Sequence, residues 1–290
     1  MSPNLPTARI GVIGGTGLYN IEGMTDIKEV NLDTPFGKPS DDITVGKLSG
    51  VGVAFIPRHG RGHTLLPSEV PSRANMYALK MLGVESVISS NSCGSFKENI
   101  KPGDLLIPDQ VIDRTRNRVS TFFGNGIVAH MGFSQPFCPH LSDLIYNAAR
   151  DAGASVHKGG TFIAMEGPAF STKAESLMYQ SWGADIVGMT VLPEAKLARE
   201  AELCYASIAL VTDYDCWMER TEPVTVDIIL SCMRNNVEMA KKIIKLAVGR
   251  IAAKRSCECA TALSGAIVTA PDKIPPETKE KLKLIIGKYL

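Results

Sequence analysis

Residues 206–217 read ASIALVTDYDCW, an apolar run of strand type that stops abruptly at two carboxylates two positions apart, Asp213 and Asp215. In an extended chain, alternate side chains point the same way, so both carboxyl groups project from one side at the strand's carboxyl end. Open α/β sheets bind their ligands at that edge. Two like charges crowded into a partly dry site raise at least one carboxyl pKa, which leaves a protonated acid able to donate to a basic ring nitrogen. The same spacing also fits a solvated turn after a strand, so the rest of the chain has to decide.

The flanking segments repeat the pattern. ARIGVIGG (8–15), GVAFIPRHG (52–60), ESVISSNSCGS (85–95) and GDLLIPDQVID (103–113) read as strands, and most end in small polar residues. SRANMYALKMLG (72–83), LSDLIYNAARDAG (141–153), LPEAKLAREA (192–201) and residues 226–254 carry apolar residues at helical spacing. Strands alternating with helices predict an α/β fold: a single-domain sandwich in which a central mixed β-sheet is flanked by helices. The expected boundaries are a body over 1–255 and an extension over 256–290, in which a proline-rich stretch, TAPDKIPPE, leads into a short amphipathic helix, KEKLKLIIGKYL.

A chain of 290 residues with 44% hydrophobic content can bury a large core. A net charge of +1 gives no electrostatic case for nucleic acid or an anionic membrane, so any bound anion must be gripped locally. No stretch reaches the roughly 18 apolar residues of a membrane span, and the start lacks a secretory leader; a cytoplasmic location is expected. Seven cysteines are scattered without CxxC spacing, which predicts no structural zinc and, for most, small buried hydrophobes. Cys257 and Cys259, one residue apart, could close a tight and easily reduced ring, or remain free.

Three turns after strands carry anion-binding chemistry. Gly14-Gly15-Thr16-Gly17 offers backbone amides and a hydroxyl, but Asn20 stands where GxGxxG requires its third glycine, so a dinucleotide site is not expected. Arg58-His59 sets a guanidinium fork beside an imidazole. Asn91-Ser92 opens a cluster of amides and hydroxyls. Three such turns in a nearly neutral chain predict one buried phosphate.

GVIGGTGL (11–18), DTPFGKPS (33–40), RHGRGHTLLPSEV (58–70), NSCGS (91–95), PGD (102–104), DQVIDRT (109–115), MEGPAF (165–170), WGADIVGMT (182–190) and TDYDCW (212–217) together resemble the trimeric nucleoside phosphorylase family. The resemblance implies that a purine nucleoside is cleaved by inorganic phosphate, a co-substrate, with no metal and no organic cofactor. Thr16, Arg58, His59, Ser92 and Thr190 match the family's phosphate ligands, with Asn91 beside them. Phe170 matches the aromatic near the base, Met189 the side chain under the ribose, and Thr212, Asp213 and Asp215 the base-reading segment. Asparagine at the position of Asp213 suits a 6-carbonyl purine. Aspartic acid, able to donate to N7 and accept from a 6-amino group, suits adenine.

Val226, Ile229 and Leu230 match an apolar wall beside the 5′ substituent, and His130 a residue inserted by the neighbouring subunit. The wall favours a thioether over a 5′-hydroxyl. The implied reaction is therefore conversion of 5′-methylthioadenosine to adenine and 5-methylthioribose 1-phosphate by a homotrimer or a dimer of trimers. The alternatives are broad-specificity cleavage of adenosine, inosine and guanosine, or a nonenzymatic nucleotide-binding protein. Gly188 and the Asn91-Ser92 pair depart from the animal members with the thioether specificity. By the same resemblance, Cys138 and Cys204 form a second candidate disulfide.

Overall fold

In the computed structural model, the backbone is described for residues 5–15, 18, 21–218 and 226–290, and side chains for the same residues except 226–231 and 233. Among these residues, eleven strands form one mixed sheet. They are β1 (Ile10–Gly14), β2 (Thr25–Val30), β3 (Ile43–Leu48), β4 (Val51–Pro57), β5 (Ser86–Ser95), β6 (Leu105–Ile107), β7 (Gln110–Arg114), β8 (Val156–Lys158), β9 (Thr161–Met165), β10 (Ile186–Gly188) and β11 (Cys204–Tyr214). The helices are α1 (Ser72–Met81), α2 (Pro139–Asp151), α3 (Lys173–Ser181), α4 (Val191–Glu200), α5 (Val226–Arg250) and α6 (Pro276–Ile286). No helix among the described residues is long and apolar enough to cross a membrane.

The central strands are buried along most of their length because helices cover both faces of the sheet, and β5 buries serines and an asparagine there as well. Along β11, Cys204, Ala206, Ile208 and Leu210 pack with α2 and α5, whereas Tyr205, Ala209 and Val211 pack with α1 and α4. Strands β1 and β4 divide in the same way, Val12 and Phe55 to one side, Ile13 and Ala54 to the other. The sheet thus separates two cores, and Leu282, Ile285 and Ile286 of α6 join the one built on α1 and α4.

Two details differ from the sequence expectation. The run 103–113 is two strands, β6 and β7, divided at Pro108, which cannot donate to a ladder. Strand β11 keeps its expected position but carries a bulge: Val211 pairs with Cys93 and Asp213 with Gly94, so Thr212 is the extra residue. Cys93 and Val211 face the α1/α4 core, so the bulge turns Asp213 to the α5 side.

The topology marks one place for a ligand. Strand β5 runs parallel to β1 over Ser86–Ser89 and antiparallel to β10 over Gly94–Ser95. Between them, Ser90–Cys93 have no strand partner on that edge among the described residues. Strands β4, β1, β5 and β11 are all parallel, so their carboxyl ends converge beside this gap, the topological switch point of an open sheet.

Candidate functional site

Strand β5 supplies the frame. Asn91, on its α4 side, is 2% exposed and fully committed: its Nδ2 donates to Ser207 Oγ at 2.8 Å and Ser89 Oγ at 3.0 Å, and its Oδ1 accepts from Thr190 Oγ1 at 2.7 Å. The amide orients Thr190 and has no remaining donor to offer an anion. Ser92, one residue on, is exposed.

Arg58 follows β4 and is anchored by its backbone N–H to Gly14 O at 2.9 Å. Its guanidinium lies in a buried polar network. Nε donates to Glu194 Oε1 at 2.5 Å, Nη2 to Glu194 Oε2 at 3.2 Å and Ser89 Oγ at 2.7 Å, and Nη1 to Ser90 O at 2.9 Å. Ser89 and Tyr205 hydroxyls also donate to Glu194 Oε2, at 2.8 and 2.9 Å. Burial pulls the Arg58 pKa down, but the Glu194 charge and hydrogen bonds outweigh it and the net direction is up. Of the five guanidinium N–H groups, one on Nη1 is left without an acceptor among the described residues, and the cationic charge is already balanced.

His59 is 8% exposed. Its Nδ1 lies 2.9 Å from Leu65 O, and since a carbonyl only accepts, Nδ1 carries the hydrogen. Burial, then the Arg58 charge, lowers its pKa to about 4, so at neutral pH Nε2 presents a lone pair. An anion here meets a neutral imidazole that accepts, a single arginine N–H and nearby hydroxyls. Such a site suits a phosphate that still carries a proton.

At the end of β11 the two carboxylates lie together. A Cβ built on Gly94 would stand 3.3 Å from Asp213 Oδ2 and 3.4 Å from Asp215 Cβ, which places both side chains over the same glycine, as their spacing predicts. Thr212 Oγ1 donates to Asp213 Oδ1 at 2.7 Å. Asp215 is buried, and its Oδ2 has no hydrogen-bond partner among the described residues. Trp217 Nε1 donates to Ser95 O at 2.7 Å and fixes the turn behind them.

Met189 lies against Gly167: a Cβ there would meet its Sδ at 2.5 Å, and φ is +70°, so the position admits only glycine. Arg118, which the sequence reading missed, donates to Met189 O at 2.5 Å and Leu192 O at 2.8 Å through Nη1, and to Glu166 O at 2.5 Å through Nη2. It joins the MEGP segment to the segment carrying Thr190. A side chain at Gly188 would approach Phe162 Cζ to 2.7 Å and Ser92 O to 3.0 Å.

Phe170 is 84% exposed, a large apolar ring facing out of the chain. His130 is exposed, its backbone N–H donates to Ala266 O, and its ring has no hydrogen bond or ion pair among the described residues. Thr16 and the side chains of Val226, Ile229 and Leu230 lie outside the described residues. Glu194, Ser89, Ser207 and Tyr205 carried no local signal; Glu194 and Arg58 stand 136 positions apart. The cysteines are free thiols, including the pairs expected as possible disulfides.

A family model described as the phosphorylase superfamily matches residues 9–249. The chain is 57% identical over 282 residues to the S-methyl-5′-thioadenosine phosphorylase of Geobacter sulfurreducens, covering 97% of this chain and 99% of the relative. It is 54% identical over 288 residues to the protein of that name from Thermosynechococcus vestitus, covering 98% and 100%. Among solved structures, it is similar to a methylthioadenosine phosphorylase from an antarctic soil metagenomic library, with a TM-score of 0.93, 47% identity and coverage of 96% and 99%. It also resembles the methylthioadenosine phosphorylase of Schistosoma mansoni in complex with adenine, with a TM-score of 0.84, 37% identity and coverage of 92% and 100%.

Proposed function

The chain belongs to the phosphorylase superfamily, and from that premise we propose that it cleaves 5′-methylthioadenosine with inorganic phosphate, releasing adenine and 5-methylthioribose 1-phosphate. The observation that carries the reading is the carboxylate pair, Asp213 and Asp215, over Gly94 at the end of β11, beside the sheet gap that Arg58, Asn91 and Thr190 border. The names of the relatives, at more than half identity over nearly the whole chain, support the substrate.

In this reading, phosphate sits in the gap. One N–H of Arg58, Ser92 and the Thr16 and Thr190 segments hold it, and His59 Nε2 accepts its remaining proton. As the bond from C1′ to N9 stretches, positive charge grows on the ribose and negative charge on the purine. The phosphate oxygen faces the first and bonds to C1′ as the purine leaves with the glycosidic electron pair. Asp213, protonated, donates to N7, and that proton neutralises the departing base. Asp215 Oδ2 is a buried acceptor suited to the 6-amino group. Phe170 and Met189 cover the faces of base and ribose, and Val226, Ile229 and Leu230 line the 5′ substituent.

A ring as exposed as Phe170, and a histidine exposed on the same chain, fit a trimer or a dimer of trimers in which His130 completes the neighbour's site. The proposed organisation is a catalytic body over 1–255, in keeping with the extent of the family match, and an extension over 256–290. The test is adenine release from 5′-methylthioadenosine with and without phosphate, with inosine in parallel. Phosphate-dependent release with inosine intact is expected; comparable inosine cleavage would favour the broad-specificity alternative.

A further inference from the structure

Four thiols that nothing in the reaction uses meet at one point. The Sγ atoms of Cys138, Cys204, Cys257 and Cys259 all lie within 4.8 Å of one another, with Cys204 and Cys257 at 3.2 Å. Four thiolates around a tetrahedral ion at about 2.3 Å stand about 3.8 Å apart, within this range. Three of the four residues are buried and Cys257 is half-buried.

We propose that these four cysteines form a structural metal centre, a tetrahedral thiolate site for zinc or a similar borderline-soft divalent cation. The ligands come from three places on the fold, which is why no local motif announces them. Cys138 is the N-cap of α2, a thirteen-residue helix whose amino end favours a thiolate, and its N–H is held by Tyr205 O at 2.8 Å. Cys204 opens β11, its N–H bound to Glu85 O at 2.9 Å. Cys257 and Cys259 stand at the start of the short 3₁₀ turn Glu258–Thr261. Two ligands are therefore set by the rigid body and two by the segment that follows α5.

The surroundings fit a dianionic centre, since Zn²⁺ with four thiolates carries two net negative charges. Arg199 reaches it, with Nη1 at 3.9 Å from Cys259 Sγ while Nη2 donates to Gln135 O. Binding exchanges thiol protons for the cation, so up to four protons leave as one ion enters, with no change of oxidation state.

The centre would fasten the extension to the body, with a consequence for the loop the extension holds. His130 N–H donates to Ala266 O at 2.8 Å, Val268 N–H to Val128 O at 2.9 Å, Val128 N–H to Thr269 Oγ1 at 2.8 Å, and Thr278 Oγ1 to Asn125 O at 2.7 Å. The metal is a clamp on the segment that shapes the 125–130 loop.

The experiment uses the full chain, purified in reductant without chelator, untagged, with metal content measured by plasma mass spectrometry. The expected result is about one zinc per chain, released by a thiol-blocking mercurial and restored by an equal amount of Zn²⁺ once excess dithiothreitol has stripped the mercurial from the cysteines. Co²⁺ in its place should show the charge-transfer and ligand-field bands of a tetrahedral thiolate site. A C257S/C259S double variant should lose both the metal and the cobalt spectrum. If that variant fails to fold, the wild-type chain decides alone: the half-buried Cys257 should resist alkylation while the metal is bound and react once it is removed, and equal labelling in both states would overturn the proposal. An intact mass lower by four hydrogens, showing two disulfides, would overturn the proposal. So would a chain with free thiols that takes up neither Zn²⁺ nor Co²⁺.

Discussion

Replacing Glu194 by glutamine tests how the buried network governs both stability and phosphate binding. Glu194 is 2% exposed and accepts from Arg58 Nε at 2.5 Å and Nη2 at 3.2 Å, and from the Ser89 and Tyr205 hydroxyls. The glutamine keeps one acceptor oxygen, which can serve Arg58 Nε. At the other position it presents an amide donor to three donors, and the Arg58 charge loses its counterion. Breaking a buried ion pair from one side costs about 3–5 kcal/mol, a large part of a typical folding free energy of about 5–15 kcal/mol. At about 2–4 °C per kcal/mol for a chain of this size, the melting temperature should fall by on the order of 10 °C.

Phosphate distinguishes this account from generic damage. The uncompensated guanidinium gains a counterion when a phosphate dianion binds beside it, so added phosphate should raise the variant's melting temperature more than the wild type's. The assay is a calorimetric or dichroism melt of both proteins across a phosphate series. A variant that melts within about 2 °C of wild type in phosphate-free buffer, or gains no more from phosphate than wild type, would refute the reasoning.

Other consequences follow from individual side chains. Asp213→Asn should reduce turnover of adenine nucleosides by about 10²–10⁴-fold while phosphate affinity by calorimetry stays near wild type; unchanged turnover would remove Asp213 as the acid. Asn91→Ala leaves Thr190, Ser89 and Ser207 without their shared partner, so the KM for phosphate should rise and stability should fall by about 1–3 kcal/mol. His59 is neutral in the folded chain down to about pH 4 against an ordinary 6.5, so between these values the unfolded chain binds more protons. Its contribution is whole above about pH 6.5 and is lost as pH falls toward 4, at most about 3 kcal/mol before solvent screening reduces it. Glu200, lifted to about 6 by burial, acts in the opposite sense, its stabilisation fading as pH rises through 6, so the comparison is His59→Asn against wild type. The variant should therefore gain less stability than wild type as pH rises from about 4 to about 6.5, and equal slopes would contradict the assignment.

The parts of the fold that were legible are those in which local pattern and burial agree. The run 206–217 carries the central strand, which ends at Tyr214, because both faces are covered, and Arg58-His59 follows β4 at a carboxyl strand end as open sheets require; residues 91–95, expected as a turn, are instead the last part of β5, where they pair with β11. The bulge at Thr212 was not legible, because TDYD alternates as well in either register and only pairing with β5 sets the side to which Asp213 turns. Glu194 reads in sequence as an acid in the first turn of a helix, a common surface choice; its burial follows from Arg58, Ser89 and Tyr205 arriving from other strands. Arg118 is similarly silent, being bound mainly to backbone carbonyls, which leave no trace in residue identity. The meeting of four cysteines was not legible either, since spacing rules detect groups carried by one hairpin or knuckle, whereas these come from a helix start, a strand start and a late turn.

The central claim is that phosphate itself becomes bonded to the sugar as the purine leaves. Phosphorus NMR of the chain with 5′-methylthioadenosine and limiting inorganic phosphate tests it most directly. The account predicts that the inorganic signal is replaced by a sugar 1-phosphate signal, one for each adenine released, and that release stops when phosphate is exhausted. Adenine appearing with the inorganic phosphate signal undiminished would mean that water attacks C1′, and would contradict the account.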